Sequence, residues 1–138
     1  MDKKIRILIA DDNPVLREGL KSILSPIPIF DIVGEAADGI EILNLVDRLL
    51  PDVVLMDISM PRMGGIVATR EIKQKWPGTK ILVFSIHESP DYQKAALRAG
   101  ADGYILKDSS PAELIQSIQD ILDGKQGLHA SIMEEAPH

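Results

Sequence analysis

In chain order apolar residues gather in five short runs, Ile5 to Ala10, Phe30 to Ala36, Val53 to Met56, Ile81 to Phe84 and Tyr104 to Leu106, all nearly uninterrupted except the more mixed second. Short runs rich in β-branched side chains read as strands, and the uninterrupted ones as strands covered on both faces inside a parallel sheet. Between the runs, apolar residues return at helical spacing. Val15, Leu16, Gly19, Leu20, Ile23 and Leu24 share one face after the first run, and Ile42, Leu43, Val46, Leu49 and Leu50 after the second. A helix from about Gly65 to Lys75 follows the third run and is closed by Trp76-Pro77-Gly78, because proline disfavours helix at the residue before it. A shorter helix around Tyr92 to Ala99 follows the fourth, and Leu114, Ile115, Ile118, Ile121 and Leu122 form the stripe after the fifth.

Start signals agree with this reading. Pro14 suits the first position of a helix, and Ser110-Pro111-Ala112-Glu113 has the spacing of a capping box. Strict alternation of strands and helices predicts an α/β fold with a parallel sheet, since each parallel pair needs a right-handed crossover that places helices on both faces. Five strands favour the flavodoxin-like, doubly wound order 2-1-3-4-5.

The length of 138 residues suits one domain. The pattern weakens beyond Asp123-Gly124, so residues 1–124 read as the folded unit and 125–138 as a linker stub or tail. With 45% hydrophobic and 26% charged residues, the composition is that of a globular domain rather than a disordered or fibrous chain. A net charge of -6, without a run of Lys or Arg, argues against nucleic-acid binding by this chain alone. The absence of Cys removes disulfides, thiolate catalysis and Cys-ligated metals. The first apolar run is too short for a signal peptide and no segment could span a bilayer, so no membrane role is expected and the cytoplasm is the default.

The strand ends carry the chemistry. Asp11 and Asp12 follow the first strand, Asp57 ends the third, Ser85 the fourth and Lys107 the fifth. In an open α/β sheet ligands bind outside the carboxyl ends of the strands, where these side chains converge. Three carboxylates together repel unless a cation lies among them, and Mg2+ takes one or two carboxylates, waters and phosphate oxygens. The set therefore reads as phosphoryl-transfer equipment, with the central Asp57 as nucleophile, the metal and Lys107 neutralising charge, and Ser85 as a hydrogen-bonding group. Each residue alone has a plainer use, as a helix cap, a turn residue or a surface group. Their convergence is what favours chemistry.

Ile9-Ala10-Asp11-Asp12-Asn13, the stretch from Leu55 through Asp57 and Ser59 to Gly65, Ser85, and Ala99 to Lys107 together resemble the receiver domain of bacterial two-component response regulators over about the first 124 residues. The resemblance implies that Asp57 accepts a phosphoryl group from a His of a sensor histidine kinase. It also implies Mg2+ held by Asp11, Asp12, the Asp57 carboxylate and the backbone carbonyl of Ser59. Lys107 would pair with the phosphoryl group and Ser85 would move to hydrogen-bond it. Tyr104 would turn inward as Ser85 moves and remodel the face of the fourth helix, fifth strand and fifth helix; its plainer reading is a half-buried Tyr with its hydroxyl in water. Such a switch turns over no external substrate, although it catalyses its own aspartyl phosphorylation and dephosphorylation.

Arg98 to Tyr104, Lys107-Asp108 and Ser110 to Leu114 are similar to the NarL/FixJ (LuxR-type) subfamily. That likeness implies homodimerisation on phosphorylation and transcription regulation through a helix-turn-helix DNA-binding domain outside this sequence. Asp108 stands where many members carry Pro, which argues against the cis bond often found after the Lys. Ile86 replaces a commoner small residue and is expected to narrow access to the site and slow phosphate loss. His87 and Glu88 could orient or exclude water, although an exposed loop His is the plainer expectation. Met60 and Met63 are expected as apolar filler, and His129 and His138 as residues of the tail. A phosphohydrolase is disfavoured because Ser59 stands where those enzymes place a second acid, and a flavodoxin-like cofactor binder because Asp11-Asp12 would repel phosphate. A stand-alone or phosphorylation-independent receiver-like interaction module is the remaining alternative.

Overall fold

The structure is a computed structural model that describes residues 3–125 and 127–128. Strands β1 (Ile5–Ala10), β2 (Phe30–Ala36), β3 (Val53–Met56), β4 (Lys80–Ser85) and β5 (Gly103–Leu106) alternate with helices α1 (Pro14–Leu24), α2 (Gly39–Leu49), α3 (Gly65–Lys75), α4 (Pro90–Arg98) and α5 (Pro111–Leu122). All strand pairs are parallel and the five run in the expected order 2-1-3-4-5. The sheet continues one step further. A sixth strand, β6 (Gly127–Leu128), pairs with Gly103 and Tyr104 inside the stretch that reads as a linker. Two residues are too few to display any alternation, which is why the pattern does not announce them. His129 and His138 lie outside the described residues.

Period-two alternation sends successive strand residues to opposite faces. Ile7, Ile9, Val53, Leu55, Leu82, Phe84 and Ile105 pack with Leu20 and Leu24 of α1 and with Leu114, Ile118 and Ile121 of α5. Leu8, Val54, Met56, Ile81, Val83 and Tyr104 face the other way, against Ile42 and Val46 of α2, Ala68 and Ile72 of α3, and Ala96 of α4. Met60 and Met63 are partly buried against this second layer, as expected for apolar filler, and Trp76 joins them.

The helix ends follow local chemistry. Asn13 caps α1 by accepting the Val15 N–H at 2.9 Å, and Ser110 with Glu113 forms the expected capping box at α5. Three residues leave their expected faces, and one of them is Gly19, exposed on α1 with nothing within 4 Å of where a Cβ would stand. Val15, in the first turn of α1, is 78% exposed and takes no part in the layer that α1 packs on the sheet. Leu50 is 59% exposed and left-handed (φ +46°), ending α2 one residue early because Pro51 disfavours right-handed helix at the residue before it.

Candidate functional site

Register fixes how the strand ends meet. Ala10 pairs with Met56, so the next residues, Asp11 and Asp57, leave the sheet side by side. Each continues the ladder by one bond: the Asp11 N–H donates to the Ala36 carbonyl at 3.0 Å and the Asp57 N–H to Ala10 at 2.9 Å. β4 and β5 run further along the same edge, and the Lys107 N–H donates to the Ser85 carbonyl at 2.7 Å. The long Lys107 side chain then returns over the edge. Its Nζ lies 2.8 Å from Asp11 Oδ2 and 3.2 Å from Asp57 Oδ1.

Asp11 and Asp57 are buried, whereas Asp12 is exposed, and ligand oxygens of the three lie within 4.8 Å of one another. Asp11 Oδ1 also accepts the Asn13 N–H at 2.8 Å, which aims Oδ2 at the lysine. Burial, and then the charge of Asp11, push the Asp57 carboxyl above its ordinary pKa, with Lys107 pulling the other way. Burial works against the Lys107 charge, yet its bond to Asp11 and the charge of Asp57 outweigh that and raise its pKa. One ammonium among three carboxylates leaves the crevice negative. Its hard oxygen donors suit a cation such as Mg2+, and Asp11, Asp12 and Asp57 are the residues that could hold it.

The loop after Asp57 folds back tightly. The Gly65 N–H donates to the Ile58 carbonyl at 2.8 Å, and a Cβ on Gly65 would stand 1.9 Å from the Asp57 carbonyl oxygen. Only glycine fits there. Ser59 lies two residues beyond Asp57 on this loop, exposed, with its hydroxyl 3.3 Å from His87 Nε2.

Ser85 is fully buried and its Oγ accepts the His87 N–H at 3.0 Å. Tyr104 is also fully buried and donates its hydroxyl to the His87 carbonyl at 2.8 Å. The half-buried tyrosine with a hydrated hydroxyl is thereby corrected: the apolar layer under α4 takes the ring, and a backbone carbonyl takes the hydroxyl. Burial raises the Tyr104 pKa, opposed by Ser85. His87 is corrected too. Rather than an exposed loop side chain, it is half-buried and stacks on Tyr92 of α4 with ring centroids 3.9 Å apart. Neither partner is adjacent in sequence, so no local pattern announces the stack. Ile86 is 70% exposed and lines, with Glu88, Leu106, Lys107 and Asp108, a cleft of about 120 Å3 beside the site. There is no cis peptide bond among the described residues.

Comparison with known proteins gives this geometry a family. The sequence profile of the response regulator receiver domain matches residues 7–119. The transcriptional regulatory protein DegU of Brevibacillus brevis is 40% identical over 131 residues, covering 95% of this chain and 56% of DegU. The nitrate/nitrite response regulator protein NarL of Escherichia coli K12 is 36% identical over 126 residues, covering 91% of this chain and 58% of NarL. Among solved structures, a two-component response regulator of the LuxR family from Aurantimonas sp. SI85-9A1 superposes with a TM-score of 0.90 at 40% identity, over 96% of this chain and 95% of that one. The chain belongs to the response regulator receiver family, with relatives of the NarL, DegU and LuxR type. It spans just over half the length of DegU and NarL. No helix among the described residues is long and apolar enough to cross a membrane.

Proposed function

We propose that this chain is the phosphoacceptor part of a two-component transcription regulator, with Asp57 taking a phosphoryl group from a sensor histidine kinase. One observation carries the reading: a buried carboxylate at a strand end, 3.2 Å from a lysine and clustered with two further carboxylates. Asp11, Asp12, Asp57 and the Ser59 carbonyl would hold Mg2+, whose charge would be neutralising at the transferring group. Asp57 attacks phosphorus as its carboxylate, the bond from phosphorus to the donor breaks, and an acyl phosphate remains. Lys107 neutralises the phosphoryl oxygens and Ser85 hydrogen-bonds one of them after leaving the His87 N–H. Tyr104, already inward, is held there when Ser85 moves, and the face of α4, β5 and α5 responds.

In this reading the switch runs through β6 to Leu128 and the residues after it lead towards a DNA-binding output domain, with dimerisation on phosphorylation and a cytoplasmic setting. DegU, a transcriptional regulatory protein that extends well beyond the matched part, supports the output assignment. The test is intact mass after incubation with acetyl phosphate and Mg2+. A gain of one phosphoryl group, absent in Asp57→Ala or with the metal chelated, is the expected result. No gain in a folded, Mg2+-binding protein would move the weight to a phosphorylation-independent interaction module.

A further inference from the structure

The loop that follows Asp57 contains an expensive conformation. Arg62 has φ +65°, in the left-handed region that costs a non-glycine residue energy, and it centres a three-residue turn closed by the Met63 N–H on the Pro61 carbonyl at 2.7 Å. Such a turn persists where its surroundings hold it. Here the holder is the start of α2. Arg62 Nε and Nη2 both donate to Asp38 Oδ2, at 2.9 and 2.8 Å, and the Gly39 N–H donates to the Met63 carbonyl at 2.9 Å. The approach is close: a Cβ on Gly39 would lie 2.4 Å from that carbonyl.

Asp38 is itself fixed. It is 7% exposed and its Oδ1 accepts the Glu41 N–H at 2.9 Å as the N-cap of α2, while the Glu41 side chain turns back to the Ala37 N–H. A rigid helix start therefore grips the far side of the loop whose near side carries Ser59.

We infer that Asp38 and Arg62 are positioning residues for the Mg2+ site, clamping the loop from Asp57 to Gly65 so that the Ser59 carbonyl is set before the metal arrives. The inference rests on reading Asp11, Asp12, Asp57 and Ser59 as that site. Arg62 is 59% exposed against an Asp38 side chain that is 10% exposed, so solvent screens the pair from the arginine side and its consequence falls on the loop it bends. Ligand geometry is a demanding requirement for Mg2+, which accepts little departure from octahedral coordination.

Two substitutions separate clamping from helix capping. Asp38→Asn keeps a good N-cap and removes the charge, and Arg62→Asn tolerates left-handed φ but cannot reach residue 38. The measurement is Mg2+ affinity by calorimetry on wild type, both variants, their combination and Arg62→Lys, with thermal unfolding in chelator alongside. Each single variant should weaken Mg2+ binding by up to about tenfold, the least that direct outer partners of metal ligands typically cost, because neither residue touches a ligand atom. The double variant should be no weaker than the worse single one, Arg62→Lys should recover part of the loss, and unfolding should shift little. Wild-type Mg2+ binding that the variants reproduce would overturn the clamp alone. A wild type that binds no Mg2+ would overturn the site reading and the clamp with it.

Discussion

Tyr104 donates its hydroxyl to the backbone carbonyl of His87 at 2.8 Å, from a ring with no exposed surface. The loop carrying His87 is bound a second time, through its N–H, to Ser85 Oγ. Tyr104→Phe leaves the ring in place and orphans that carbonyl. Urea denaturation should show a loss of about 1 kcal/mol, the usual net value of one hydrogen bond. Tyr104→Ala, which empties a fully buried position, should cost about 3–5 kcal/mol.

Metal should act on stability through the acidic crevice. Among Asp11, Asp12 and Asp57 the Coulombic repulsion is only partly answered by Lys107. Ions that bind the folded chain alone stabilise it by mass action, about 2.7 kcal/mol at a hundredfold excess over Kd. Thermal unfolding with and without Mg2+ should show a rise that grows with concentration. Asp12→Ala, at the exposed and structurally undemanding member of the cluster, should abolish that rise and leave the metal-free protein about as stable.

The tight loop offers a steric test. A methyl at Gly65 would press on the Asp57 carbonyl at 1.9 Å, and a backbone carbonyl cannot swing aside as a flexible side chain can. Gly65→Ala should destabilise by about 1–3 kcal/mol, the range for forced overpacking. Gly19→Ala is the control. Nothing lies within 4 Å of its Cβ and the residue is within α1, so it should stabilise the protein or leave it unchanged, by about 0.5–1 kcal/mol at most.

On β2, Glu35 accepts from Lys21 at 2.7 Å and from Arg17 at 3.0 Å. The Lys21 bond is the main cause that lowers its pKa, against burial and with help from Arg17. A lowered carboxyl contributes stability above its unfolded pKa, about 4.3, and loses it as pH falls through the folded value. Glu35→Gln should therefore cost up to about 1 kcal/mol at neutral pH, in keeping with a partly exposed pair. The difference from wild type should close in acid.

Much of this was legible in the chain because strand ends and chemistry coincide. Asp11, Asp57, Ser85 and Lys107 each terminate an apolar run, and strand order alone brings them together. What escaped depends on pairs far apart in sequence. Asp38 looks like a turn residue before a helix, and nothing nearby indicates that Arg62 reaches back to it. His87 and Tyr92 are only five residues apart, but their stack spans the junction of β4 and α4 and has no period to betray it, and β6 forms only by pairing with β5. Val15 and Leu50 obey the helical period, yet Val15 takes no part in the packed layer and Leu50 lies where its helix has just ended.

The most direct test of the account is to locate the phosphoryl group rather than only weigh it. After reaction with acetyl phosphate and Mg2+, borohydride reduces an aspartyl phosphate to homoserine, which peptide mass spectrometry can place. Homoserine is expected at position 57 and nowhere else, dependent on Mg2+. Reduction at Asp11 or Asp12, or none in a protein that had gained the mass of a phosphoryl group, would contradict it.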